Sequence, residues 1–347
     1  MSIGSSIQLC EPYDLCLFLA WKDSAGKTFI HDKLCPEIGK RLPQCQCETR
    51  LAYGTVQGKI SQLRLIFERI GRSGPWSAQK LTGNPANSRE ICVYLKQIRE
   101  EQSKAHSTPK QAIPIFTGRL KKIACYIDRH INHSNISPKK KLMLARDQAL
   151  LKLMFFGGDR AADAGRMLIQ EIRSLPDVLG IVIRQTWGTT HRCDKSNVFS
   201  LFRCEDPVIC PVKALKTYRD IAKSMQVDIS VGFLFRPISK EGKVLEAPLS
   251  YEAIYERLKF YLNTLGINHG ETPHSLRAGC AITMRNLGSP ASEEPLMSHV
   301  GWQSQSSAAL YTRSTWMDQA NRMAKAMAEI TSEPQFIEDS MLPPALN

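Results

Sequence analysis

Nowhere does the chain hold the roughly 20 consecutive apolar residues that a bilayer-spanning helix needs, which sets aside membrane-embedded functions. Its first residues, MSIGSSIQLCEPYDLCLFLAWKD, have no basic start, no long apolar core and no clean cleavage site, so no signal peptide is expected. A disulfide framework is missing too. The eleven cysteines are odd in number and scattered through 347 residues, a length that folds without covalent staples, and this favours a reducing, intracellular compartment over a secreted scaffold. Internal repeats and long low-complexity tracts are absent as well. Acidic residues are in deficit: 33 Asp and Glu stand against 46 Lys and Arg, a net charge of +13. That balance favours a polyanionic partner such as nucleic acid; the address expected is intracellular and nuclear.

What is present reads as two domains, because 347 residues at 43% hydrophobic content exceed a single core of ordinary size. Residues 55–71 carry Ile60, Leu63, Ile66, Phe67 and Ile70 at helical spacing, with Thr55 as N-cap and Gly71 as stop. A second helix is expected from Ser88 through Ile91, Tyr94, Leu95 and Ile98, and a third begins near Thr117. The stretches SKAHSTPKQAIP and HINHSNISPKKK interrupt the pattern as candidate linkers. The helix KLMLARDQALLKLMFFGG ends at Gly157 and Gly158, leaving Asp159, Arg160 and Asp163 just beyond it. Two β-branched and aromatic runs, LGIVIRQTW and NVFSLFR, predict an antiparallel hairpin, which GFLF extends. Helical patterning resumes at Tyr251, a further helix opens at TPHSLRAG, and residues 331–347 read as a flexible tail. The fold class is mainly α with a small antiparallel β-sheet (α+β).

One constellation stands out. His274 and Arg277 are three residues apart and share a helix face, Trp302 follows, Tyr311 comes nine residues after it, and Arg160 lies upstream. Singly each has an ordinary reading: Tyr311 a rim aromatic, Trp302 a core anchor, Arg160 a helix-end cation. In this order and spacing they resemble the tyrosine recombinase (phage integrase) superfamily, whose motifs are an arginine after an apolar helix, a His-x-x-Arg pair, a Gly-His or Gly-Trp dipeptide and a tyrosine nine residues later. Gly301-Trp302 is similar to that dipeptide. The phrases LTGNP, WGTTHR, ICPVKAL and HSLRAGCAI are most similar to eukaryotic mobile-element recombinases of the DIRS-type and Crypton kind.

The resemblance implies a C-shaped clamp: an N-terminal arm at 1–50, a helical core-binding domain at 51–108, a catalytic domain at 109–331 and a tail at 332–347. It implies a double-stranded DNA partner, a tetramer of protomers on DNA, and catalysis with no cofactor. The implied chemistry is transesterification through a 3′-phosphotyrosine. Tyr311 would be the nucleophile, since a phenol of pKa about 10 must be deprotonated as it attacks. Arg160 and Arg277 would offer planar forks to the phosphate as charge builds. His274 would move a proton near neutral pH, and Trp302 would donate its indole N–H to the same phosphate.

The family places a lysine in the hairpin turn to protonate the leaving oxygen, and here Thr189 stands at that place. Lys195, six residues on, is the substitute candidate; as secondary site residues, His299 would add a hydrogen bond beside Trp302 and Asp163 would orient Arg160 or His274. Two alternatives remain open: a domesticated DNA-binding protein with impaired chemistry, and an enzyme similar to type IB topoisomerases. Separately, His31, Cys35, Cys45 and Cys47 place four soft ligands within seventeen residues, a candidate structural zinc clip for the N-terminal arm, with buried thiols as the competing reading. The basic run SPKKKLMLAR is either a solvated face or a phosphate contact. A helix at 316–330, with Trp316, Met317, Ala320, Met323, Ala324, Met327 and Ile330 on one face, would be core or a contact with a neighbouring protomer.

Overall fold

The computed structural model describes residues 7–38, 40, 43–105, 112–176, 179–186, 188, 196–287, 294–302, 304, 305 and 308. Thr189, Lys195, Tyr311, the expected helix at 316–330 and the tail lie outside them. The chain divides into two compact units, residues 1–111 and 112–347, so the division falls inside the first candidate linker, SKAHSTPKQAIP. The second, HINHSNISPKKK, forms a helix end, a loop and a helix start within the second unit.

In the first unit three helices share one core. Helix α1 (Pro12–Asp23) starts with proline at N1, and the Asp14 carboxylate accepts from the Glu11 N–H at 2.9 Å. Helix α2 spans Tyr53–Arg69, and α3 spans Arg89–Lys104, where Ser88 accepts from the Ile91 N–H. Leu15 and Leu19 of α1 bury against Val56, Ile60 and Phe67 of α2 and Ile91 and Ile98 of α3, together with Ala86. Helix α2 begins two residues before the expected cap at Thr55. The reason is distant in sequence: Gln102 of α3 accepts from the Tyr53 N–H at 2.9 Å and donates to the Leu51 carbonyl at 2.8 Å, fixing the start from outside the helix. A short ribbon, β1 (Thr28–Phe29) paired antiparallel with β2 (Thr49–Arg50), ties off the loop that carries the histidine and cysteines.

In the second unit, helix α4 (Thr117–Ile131) leans on α5 (Pro138–Gly157), which is buried on nearly all sides and forms the centre of the core. A polar residue inside such a helix must find partners. Asp147 does so, accepting from Arg146 at 2.7 Å, Arg257 at 2.6 Å and the Tyr261 hydroxyl at 2.7 Å. The short helix α6 (Ala161–Gly165) follows α5 directly, and α7 (Pro211–Ser224), α8 (Tyr251–Thr264), α9 (His274–Leu287) and α10 (Glu294–Val300) complete the described helices.

The expected hairpin forms from β4 (Gly180–Gln185) and β5 (Asn197–Phe202), with Ile181 opposite Leu201 and Gln185 opposite Asn197. Its third strand is β3 (Ile172–Ser174), not the GFLF segment. Gly232 has φ +82°, and Arg236 donates to the carbonyls of Phe233, Asp228 and Val231, so that segment curls into a loop, touching Leu168 through one isolated bridge. Leu234 and Phe235 are completely buried instead of lining a sheet face. The architecture is mainly helical with small antiparallel sheets, as expected.

Candidate nucleic-acid strand-transfer site

Three elements meet where α5 ends. An apolar helix that must stop sharply uses a left-handed residue, and Gly158 supplies it at φ +63°, ψ +26°. A Cβ there would also come within 3.1–3.3 Å of Val300 and Cys280, a tight fit. The turn leaves the Gly158 carbonyl pointing at α9, where Arg277 Nη1 donates to it at 2.5 Å and to the Val300 carbonyl at 3.1 Å. Helix α9 can come this close because Gly279 lies against the Ile115 carbonyl; a Cβ there would sit 1.9 Å from that oxygen. The Ile115 N–H in turn donates to the Ser275 carbonyl at 2.9 Å.

Arg277 is thereby held at 1% exposure, its guanidinium carbon 5.3 Å from the centre of the Trp302 ring, a cation–π distance. Trp302 is buried after the α10 turn, where its N–H donates to the Met297 carbonyl at 2.9 Å. Gly301, at φ +70°, lets that turn pass the Asn197 side chain of β5. Arg160 is the residue just before α6, about a quarter exposed, with the buried Asp163 carboxylate 3.6 Å from its Nη1. His274 opens α9 half-buried, its ring centre 6.5 Å from that of Tyr251. Burial first, then the charges of Arg277 and Arg160, hold its pKa below the ordinary imidazole value, so at neutral pH it is an uncharged ring. His299 donates from Nε2 to the Phe156 carbonyl at 2.8 Å and packs on Phe199, which makes it a tie between α10 and the end of α5.

The structure therefore brings Arg160, His274, Arg277 and Trp302 together around the end of α5, with Asp163 and His299 beside them. Lys195, Thr189 and Tyr311 are outside the described residues. Two further polar residues lie at the same place: Asp159, which the sequence marks only as one of the polar residues following the apolar helix, and Gln185, which it does not mark. Asp159 is 4% exposed and Gln185, the last residue of β4, is 3% exposed. Burial pushes the Asp159 carboxyl up to about 7, against the pull of Arg277. The only local signal for Gln185 is a polar residue closing an apolar strand, GIVIRQ.

In the first unit the ligand atoms of His31, Cys35, Cys45 and Cys47 all lie within 4.8 Å of one another, Cys45 Sγ 3.4 Å from His31 Nδ1. The ribbon β1–β2 brings the two ends of this loop together, and Phe29 stacks on the His31 ring. One imidazole and three thiols at this spacing fit a tetrahedral zinc ion. Cys35, Cys45 and Cys47 are free thiols, so no disulfide consumes the donors.

A mainly helical unit with a small antiparallel sheet is the fold class of the tyrosine recombinases. Residues 129–317, more than half of the chain, match the Phage integrase family, and the chain belongs to that family. Residues 4–100 match a second description, the ALOG domain, which spans α1, the His/Cys loop, α2 and most of α3. Curated relatives match over about a third of the chain: Protein LIGHT-DEPENDENT SHORT HYPOCOTYLS 5 of Arabidopsis thaliana is 34% identical over 106 residues, covering 30% of this chain and 55% of that protein. Protein G1-like5 of Oryza sativa subsp. japonica is 30% identical over 102 residues, 29% of this chain and 47% of that protein. The chain thus spans about half the length of the curated relatives it matches. Among solved structures, XerH site-specific recombinase in a post-cleavage complex with palindromic difH substrate is 18% identical at a TM-score of 0.55, over 80% of this chain and 68% of that one. The Tn1549 transposon integrase with transposon right end DNA is 11% identical at a TM-score of 0.51, over 93% and 87%. These likenesses establish the fold.

Proposed function

We propose that the chain is a site-specific DNA recombinase or transposon integrase that cuts and rejoins strands through a phosphotyrosine. The observation that carries this reading is Arg277, buried at 1% exposure and locked to two main-chain carbonyls beside Trp302, with Arg277 and Arg160 close enough to His274 to disfavour its charged form. A cation placed in a dry site with its geometry fixed beforehand stabilises charge that develops on a phosphate far better than a solvated one.

In the proposed reaction, the Tyr311 oxygen attacks phosphorus while its proton passes to His274, which is uncharged and able to accept it. The bond from phosphorus to the 5′-oxygen breaks, and the departing oxygen takes a proton from Lys195, in place of the lysine that Thr189 replaces. A 5′-hydroxyl from another strand reverses these steps, so no metal or nucleotide cofactor enters. Residues 109–331 would form the catalytic domain and 51–108 the core-binding domain on duplex DNA, with zinc on His31, Cys35, Cys45 and Cys47 pinning residues 1–50. We place the protein in the nucleus, as part of a mobile element, acting as a tetramer on DNA.

The test is a nicked suicide duplex. Wild type is expected to form a covalent adduct, and Tyr311→Phe to form none while binding the duplex equally well. Adducts that persist in the Phe variant would sink the reading. Thr189 motivates a second one, a DNA-binding protein that has lost the chemistry. Thr189→Lys separates the two: cleavage rising at least about tenfold marks an impaired enzyme, and no cleavage by either form marks a binding module.

A further inference from the structure

Between α5, α9 and β4 sits a carboxyl group that the proposed reaction does not use. Asp159 is 4% exposed, and its Oδ2 has no hydrogen-bond partner among the described residues. The Gln185 amide lies beside it without closing a bond of normal geometry, and Gln185 Nε2 lacks a partner in the same way. Asp159 follows directly on Gly158, whose carbonyl holds Arg277, and its own N–H donates to the Met154 carbonyl at 3.2 Å, so its main chain is fixed at the end of α5. The groups facing it are Arg277 and Cys280 from α9, Gln185 from β4, and Arg160 and Asp163 at α6. Two are cations and one is another acid.

A buried carboxyl beside a guanidinium is stable as an anion only while it has that cation largely to itself. A DNA phosphate brought to Arg277 is a second anion competing for the same charge, and in a dry site two anions around one cation repel strongly. The phosphodiester cannot take up a proton near neutral pH, whereas a carboxyl already pushed up to about 7 by burial can.

We propose that Asp159 is a positioning residue for the strand-transfer site: its carboxylate balances Arg277 in the free protein, and it takes up one proton from solvent when a DNA phosphate arrives, releasing the full charge of Arg277 to the phosphate. This rests on the recombinase reading only in assuming that DNA phosphate reaches Arg277. The reaction is a simple protonation, carboxylate plus a proton to carboxylic acid, with solvent as the source. The neighbouring Gln185 side chain is placed to hydrogen-bond either form, through its amide N–H to the carboxylate or its oxygen to the acid.

Two measurements test it. Proton uptake is read by calorimetry near pH 7.5, titrating a mixed-sequence DNA duplex into the full chain in two buffers of different ionisation enthalpy. Wild type is expected to take up a sizeable fraction of a proton, and Asp159→Asn clearly less, at unchanged unfolding temperature. The pH profile of adduct formation on the suicide duplex should lose its alkaline decline in the same variant. A residue that only props the fold would change yield and not the pH profile. Should the Asn variant fold poorly, the carbon-13 signal of labelled aspartate in the wild-type chain reports the Asp159 midpoint directly. A midpoint in the ordinary carboxylate range, or equal proton uptake by both proteins, overturns the proposal. Absence of any adduct with the expected proton count overturns the recombinase reading alone, and failure to bind the duplex overturns both.

Discussion

His274 shows how the site is tuned at the level of single residues. Its ring is half-buried at the start of α9, and burial together with the charges of Arg277 and Arg160 disfavours the imidazolium. A group whose folded pKa lies below its unfolded value binds more protons in the unfolded chain. Its contribution is therefore complete above the unfolded pKa of about 6.5 and is lost as pH falls below it. The margin in unfolding temperature of wild type over His274→Asn should narrow as pH drops from 7.5 to 5; a margin that stays level across that range removes this account. Arg160, His274, Arg277 and Trp302, which the fold gathers at the end of α5, were legible from their order and spacing. Gln185 was not, and Asp159 was legible only as one of the polar residues following the apolar helix. Their burial is created by α5, α9 and β4 meeting, and no pattern within a few residues of Asp159 announces that its carboxyl will be cut off from water.

Among the elements, α9 depends on close backbone approach. Gly279 rests against the Ile115 carbonyl, and an added Cβ would meet that oxygen at 1.9 Å, a contact no side-chain rotation relieves. Gly279→Ala is expected to destabilise the second unit by roughly 2–3 kcal/mol and to cut adduct formation further, since shifting α9 displaces both His274 and Arg277. Denaturant titration alongside the suicide-duplex assay checks it, and a variant with unchanged midpoint and activity would contradict the packing described. Helices α2, α3, α4, α5, α8 and α9 and the hairpin were legible from hydrophobic period, whereas α1 and α7 were not; α5 stops at the predicted glycines, and β4 pairs with β5. Helix α2 starts early because Gln102, far along the chain, supplies its terminal hydrogen bonds. The third strand is β3 because Gly232 and Arg236 curl the more strand-like GFLF segment into a loop.

At the scale of the molecule, the buried residues of the two units form separate clusters, with Leu15 to Ile98 in one and Ile115 to Leu276 in the other. A unit with its own core and its own candidate metal clip should fold alone. Residues 1–111 expressed by themselves are expected to unfold cooperatively, to hold about one zinc per chain, and to lose several degrees of unfolding temperature on treatment with a strong chelator; a fragment that melts identically with and without chelator would rule out the zinc clip. By itself the sequence determined most of the long helices and the hairpin, the excess of positive charge, the ordered arginine, histidine and tryptophan, and the His/Cys spacing. All of these are written in residues a few positions apart or in whole-chain composition. Tertiary structure alone decided that Arg277 is locked to Gly158 and Val300, that Gln102 starts α2, and that Asp159 is buried as an acid near neutrality. Those outcomes depend on which distant segments share a dry interior, and water is excluded by the whole fold and by no local stretch of chain.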